Sequence, residues 1–300
     1  MALTKQVLLG CVLSSALILG ACHSNLGISS DESGAGPQGP EEAPSRRQRW
    51  LIPLSAQRLL MVATVWRPQT SGPYPLAVIS HASAEDSDMR TEDPTPNYEV
   101  LARWLTHYGF AVTLPLRPGH PGTGGPYLED QGGCDDADYL KSGLATAATI
   151  EAAVDYMSAQ SFIKKGRAVV VGQSAGGWGA IALASRNPPG VRAVINFAGG
   201  RGGRSYLQPN NNCAPDRLIA AVGEFGKTAR TPSLWIYTEN DSFFGPAISK
   251  RMADAFRLAG GNIEYHLLPA FGEEGHVLVT SQTAVAIWRP IVEKFLNKAR

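Results

Sequence analysis

Apolar positions along this chain fall into two alternating patterns. Short continuous apolar runs at 76–79, 110–116, 168–171, 191–197, 233–237 and 262–268 read as strands, mostly buried on both faces. Between them lie longer segments with apolar residues at helical spacing, at 97–108, 137–158, 177–185, 216–226, 246–258 and 281–296. Val100, Leu101, Trp104 and Leu105 carry the first of these stripes, and Gly109 suits its C-terminal cap. Two more strands, 50–54 and 59–67, precede the alternation across a polar turn. Strands alternating with helices from residue 76 predict an α/β fold: a mostly parallel, eight-stranded sheet with helices on both faces. In such sheets ligands bind beyond the carboxyl ends of the strands.

The N-terminal part breaks this pattern. Residues 1–21 carry one early lysine and an apolar run from Val7 to Ala21, the length of a signal peptide and short for a membrane span. The run ends in Leu19-Gly20-Ala21-Cys22. That ending resembles a bacterial lipobox, which implies cleavage before Cys22, a lipid anchor on Cys22 and a place in the cell envelope. His23 follows the cysteine, which by resemblance to Gram-negative lipoproteins favours the outer membrane. Residues 22–45 are rich in Gly, Pro, Ser and Glu with almost nothing apolar, and read as a flexible linker. The catalytic domain is then expected at 46–300. An exported chain meets oxidising conditions, which favours a Cys134–Cys213 disulfide over two buried free thiols.

One stretch concentrates the chemistry. The strand Ala168-Val169-Val170-Val171 runs into Gly172-Gln173-Ser174-Ala175-Gly176 and then into a helical segment. Strand, sharp turn and helix form the context in which G-x-S-x-G presents a serine nucleophile. A serine hydroxyl needs a base, and the base needs an orienting carboxylate. His276, in a Gly-bounded loop after the last strand, is the candidate base. Asp241, after the strand Ser-Leu-Trp-Ile-Tyr, is the candidate orienter, with Glu239 as its rival. An oxyanion hole needs two backbone amides. Ala175, next to the nucleophile, supplies one, and the loop after the third strand supplies the other, from Ser83 first and Ala82 second. Trp178, Tyr127, Tyr206, Phe243 and Phe244 fall near the same edge and are candidates for a substrate pocket.

The order Ser174, Asp241, His276 is the α/β-hydrolase order. The chain resembles the dienelactone hydrolase-like group of serine esterases over residues 50–297, through GQSAGG at 172–177, TEND at 238–241, GEEGH at 272–276 and LRPGHPGTGG at 116–125. The resemblance implies an α/β-hydrolase fold and acyl transfer through the Ser174–His276–Asp241 triad. Two departures stand out. The family's namesake enzymes carry a cysteine nucleophile where this chain has Ser174, and the usual His-Gly after the third strand is His81-Ala82. The connection from about 199 to 232 is too short for a lid domain, so an open site for small or medium esters is expected.

Composition narrows the partners. With 27 basic against 26 acidic residues and a formal net charge of +1, the chain has no electrostatic footprint for nucleic acid. No Cys/His cluster has zinc spacing, so no metal or organic cofactor is expected. Two other readings stay open: a peptidase related to the prolyl-oligopeptidase group, with Glu273 and Glu274 as grips for a substrate cation, and a non-catalytic envelope binding module.

Overall fold

The computed structural model describes residues 34–92 and 97–299. In chain order the elements are β1 (Gly36–Glu42), β2 (Arg47–Leu54), β3 (Leu59–Trp66), β4 (Leu76–Ser80), α1 (Ser87–Glu92), α2 (Glu99–His107), β5 (Ala111–Pro115), α3 (Tyr139–Ser158), β6 (Ala168–Gln173), α4 (Ala175–Arg186), β7 (Val191–Phe197), α5 (Pro215–Thr228), β8 (Ser233–Thr238), α6 (Pro246–Leu258), β9 (Ile263–Leu268) and α7 (Val285–Lys298). The expected signal peptide, Cys22 and the first part of the expected linker lie outside the described residues.

The nine strands of the described residues join one sheet in the order β1-β2-β3-β5-β4-β6-β7-β8-β9. From β5 to β9 the pairing is parallel throughout. The remaining strands, β1 to β3, add an antiparallel flank. The eight strands expected from the apolar pattern are all present. The ninth, β1, corrects the expected linker: Gly36 to Gln38 pair with Leu51 to Arg49 of β2, and Glu42 pairs with Arg47. The folded part therefore begins ahead of residue 46. Ladder hydrogen bonds come from the backbone, so a sequence with no apolar side chains can still add a strand at an edge.

The central strands bury both faces, and their side chains divide between two apolar layers with period two. Leu76, Val78 and Val170 face a layer built with Ile150, Trp178, Phe225 and Phe256, from α3, α4, α5 and α6. Ala77, Ile79, Val169 and Val171 face a second layer built with Leu101, Leu105, Trp288 and Phe295, from α2 and α7. Local signals set the helix starts. The Asp138 side chain accepts from Lys141 N at 2.9 Å to cap α3. Both α5 and α6 begin with a proline in the first turn, where its missing N–H costs nothing. Cys134 and Cys213 are disulfide-bonded, across a sequence separation of 79. The bond ties the segment before α3 to the segment before α5.

Candidate active site

Parallel strands bring their following loops to one edge. Ser83 follows β4, Ser174 follows β6, Asp241 follows β8 and His276 follows β9. Ser174 caps α4 with φ 53° and ψ −122°, a backbone state that a residue with a side chain holds only when its surroundings enforce it. The enforcement is steric. A Cβ on Gly172 would lie 2.3 Å from the Gly176 carbonyl oxygen, and one on Gly176 would lie 2.0 Å from that of Ser80. Strand, helix and the neighbouring strand β4 therefore meet at backbone distance around the serine, and only glycine fits. The Ser174 amide donates to the Phe197 carbonyl at 3.1 Å, and the Ser174 carbonyl accepts from Trp178 N and Gly200 N at 2.9 and 3.1 Å.

Asp241 is buried, at 1% exposure. Its Oδ1 accepts from the amides of Phe243 and Phe244 at 2.8 and 2.9 Å. His276 Nδ1 lies 3.1 and 3.2 Å from the two Asp241 carboxylate oxygens. A carboxylate only accepts, so Nδ1 carries the proton and donates, which leaves Nε2 free to accept. Glu239 is solvent-exposed, with its amide on the Leu268 carbonyl. Of the two rival acids, Asp241 reaches the imidazole.

His276 is held by more than its acid. The Glu274 Oε1 accepts from the His276 amide at 2.9 Å and from the Ser242 amide at 3.1 Å, capping the short 3-10 turn that carries the histidine. The Phe243 ring stacks on the imidazole at 4.2 Å. Gln173, the residue before the serine, donates from Nε2 to the His276 carbonyl at 2.7 Å. The Oε1 of Gln173 accepts from Tyr98 Oη at 2.7 Å, and that hydroxyl accepts from the Ala82 amide at 2.7 Å. One chain of hydrogen bonds thus joins the Ser174 turn, the histidine loop and the loop after β4. Ser174 Oγ itself makes no hydrogen bond to the imidazole among the described residues.

The same chain narrows the oxyanion candidates. Tyr98 occupies the Ala82 amide, whereas the Ser83 amide makes no hydrogen bond among the described residues. As the first residue of α4, Ala175 has no intrahelical acceptor for its amide.

Behind the β4 loop lies a buried ionic cluster. Glu129 receives Arg117 Nε at 3.0 Å, Arg201 Nη2 at 2.6 Å and Thr146 Oγ1 at 2.6 Å. Burial alone would raise the Glu129 carboxyl, but the two guanidiniums outweigh it and hold the group far below the usual carboxylate range. Arg117 also donates from its backbone N to His81 Nε2 at 3.1 Å and from Nη1 to the His81 carbonyl at 2.8 Å. His120 Nε2 lies 2.8 Å from Ser83 Oγ. Burial, and then the Arg117 charge, push His120 down to about 4, and Nδ1 of the neutral ring donates to the Arg117 carbonyl at 3.1 Å, so Nε2 accepts from the serine hydroxyl. His81 is pushed well below its ordinary value by the same two causes, in the same order. A Cβ on Gly119, at φ +81°, would lie 2.6 Å from Tyr127 Cα, so the loop packs against Tyr127 only with glycine there.

The pocket candidates separate. Trp178 is fully buried between Tyr139 and Phe225, with Nε1 donating to the Tyr139 carbonyl at 2.9 Å. It is a core residue, because its position on α4 faces α3 and α5 rather than the mouth. Phe244 is also buried, its ring against Gly200 and 5.8 Å from the His276 ring. Phe243 is half-buried on the imidazole. Tyr127 is half-buried, its ring under the Arg90 guanidinium at 3.6 Å and its hydroxyl accepting from Arg201 Nη1 at 2.6 Å. Glu274, expected only as a grip for a substrate cation, instead caps the histidine turn, and Gln173 carries no sequence signal of its bond to the histidine loop. A glutamate two residues ahead of the histidine was the one cue. Among the described residues, no group of three or more His, Cys, Asp or Glu side chains has the arrangement of a metal site.

Known proteins match this architecture. Among solved structures, a Pyrococcus furiosus esterase superposes with TM-score 0.60 at 13% identity, over 88% of this chain and 98% of its own. A Klebsiella pneumoniae protein described as a dienelactone hydrolase gives TM-score 0.55 at 16% identity, over 83% and 98%. Porphyromonas gingivalis dipeptidyl peptidase 4 gives 0.61 at 13% identity, over 84% of this chain but only 35% of its own. At these identities the likeness is one of fold. No curated protein sequence matches the chain. The profile of the dienelactone hydrolase family matches residues 135–295, more than half of the sequence and the part holding Ser174, Asp241 and His276. The chain is a member of the dienelactone hydrolase family, built on the α/β-hydrolase fold.

Proposed function

We propose that this protein is a serine esterase that hydrolyses small or medium carboxylic esters through an acyl-enzyme. The reading rests above all on the Asp241–His276 contact, held in a loop that Gln173 fastens directly beside Ser174. Ser174 Oγ attacks the ester carbonyl while His276 Nε2 takes its proton. Asp241 keeps the imidazole in the required tautomer and stabilises the cation that forms. The amides of Ala175 and Ser83 receive the oxyanion, aided by the N-terminal end of α4. His276 then returns the proton to the leaving alcohol, and water resolves the acyl-enzyme by the same base. Glu274 is committed to capping the histidine turn, which removes one of the two grips a peptidase reading would need for a substrate amine. The anchor on Cys22, and with it a place on the cell envelope, belongs to the same proposal and rests on the lipobox.

Fluorophosphonate labelling of the chain lacking its first 22 residues tests the nucleophile. A single adduct on Ser174, abolished in His276→Ala, is expected, together with turnover of p-nitrophenyl acetate that Ser174→Ala removes. A folded protein that takes no label would place the chain among non-catalytic binding modules.

A further inference from the structure

Tyr206 and Leu207 stand in water at 84% and 70% exposure. They lie on a short 3-10 turn, Ser205–Leu207, in the connection between β7 and α5. Arg204, Tyr206 and Leu207 have φ of 56°, 54° and 61°, the left-handed region that residues with side chains avoid. Exposed apolar surface and strained backbone are both unfavourable, and a free loop would relax to relieve them. This one is braced. Arg204 Nη2 donates to the Leu207 carbonyl at 3.3 Å, and Arg204 Nη1 donates to Ser242 Oγ at 3.1 Å. The Asn210 amide donates to the Ser242 carbonyl at 2.7 Å, and the Ser205 amide to the Asn211 carbonyl at 2.7 Å. The Cys134–Cys213 bond closes the far end of the segment.

The bracing leads to the histidine. Ser242 is the residue after Asp241, and its amide and hydroxyl both donate to Glu274, which caps the His276 turn. The Arg204 guanidinium lies over the Phe243 ring at 5.4 Å, and that ring stacks on the imidazole. Val277, next to His276, is itself 46% exposed. Three exposed apolar side chains are therefore fixed to the two loops that hold the acid and the base.

Building on the esterase reading, we propose that Tyr206, Leu207 and Val277 form an open apolar ledge that binds the apolar chain of the ester substrate as it leaves the Ser174 site. The preferred substrates are then esters with one medium alkyl arm, which exchanges water for the ledge on binding. The shared chemistry is an alkyl chain, carried on the acyl or on the alcohol side of the ester.

The test measures kcat/KM on p-nitrophenyl acetate and octanoate, and on ethyl and octyl acetate, all below their aggregation concentrations. Wild-type protein should prefer the long arm on one side of the ester. Leu207→Ser and Val277→Ser should each lower that long-to-short ratio about tenfold, roughly the share of transfer energy for one partly buried aliphatic side chain. Leu258→Ser, exposed at the end of α6, should leave the ratio unchanged. A loss confined to octanoate puts the chain on the acyl side, and a loss confined to octyl acetate puts it on the alcohol side. An unchanged ratio in variants that turn over the short esters overturns the ledge alone. A wild-type protein that turns over none of the four esters overturns the esterase reading, and the ledge with it.

Discussion

At Asp241 two demands meet in one carboxylate. It closes its own turn by accepting the amides of Phe243 and Phe244, and it faces the imidazole. The hydrogen bonds within the turn fix its direction before substrate arrives, which is preorganisation in the sense that matters for charge development. Asp241→Asn should keep the fold and lower kcat about 10³–10⁴-fold, because an amide can turn its N–H toward Nδ1 and favour the wrong tautomer. Glu239→Gln should stay within twofold in the same steady-state assay. The buried histidines set a second residue-scale expectation. His120 and His81 are neutral in the fold but titrate near their ordinary value in the unfolded chain, so the unfolded state binds more protons below that value. Stability contributed by each is therefore complete at pH 7 and lost as the pH falls. For His120, pushed down to about 4, the loss between pH 7 and 5 is about 2 kcal/mol. Denaturant titrations at both pH values should show a decline that His120→Gln reduces by about that amount.

At the scale of elements, legibility tracked how local the determining force is. The elbow was readable because its steric demand is met by Gly172 and Gly176, within two residues of Ser174. Parallel strands were readable because burial on both faces leaves continuous apolar runs. β1 was hidden because its sequence, Gly-Pro-Gln-Gly-Pro-Glu-Glu, has no apolar run and carries two prolines of the kind that blunt a sheet edge, joining the sheet through backbone pairing and ion pairs of Glu41 and Glu42. Trp178 was misread because proximity in sequence to the serine says nothing about which side of α4 it occupies. Nor could the sequence show the Arg117–Glu129–Arg201 cluster, since its members meet only once the β5–α3 and β7–α5 connections are both in place. The β1 result makes a practical prediction. Cutting the chain at residue 45 removes β1 and bares the edge of β2, so this truncation should self-associate more than one cut at residue 33. Light scattering of the two purified forms measures the difference, and their melting curves should show the shorter form less stable.

Across the whole molecule, a rigid parallel sheet places chemistry at one edge while loops of opposite character surround it. The β4 side is backed by buried ion pairs and neutral histidines, and the β7 and β9 side presents apolar groups to water. The disulfide sits where the second of these regions is anchored. A cross-link closing a loop of this length stabilises a fold by about 4–5 kcal/mol in the chain-entropy treatment. Cys213→Ser should lower the melting temperature and weaken activity on long-arm esters more than on short ones.

The same bond also ties performance to the redox history of each molecule. A copy folded among reduced thiols keeps its sheet and its serine, yet holds the segment from Arg204 to Asn212 without its covalent tie. Air oxidation would later convert it. Preparations from a reducing host should therefore be mixtures whose substrate preference drifts toward longer chains with storage, and a thiol count taken beside each assay would account for the drift.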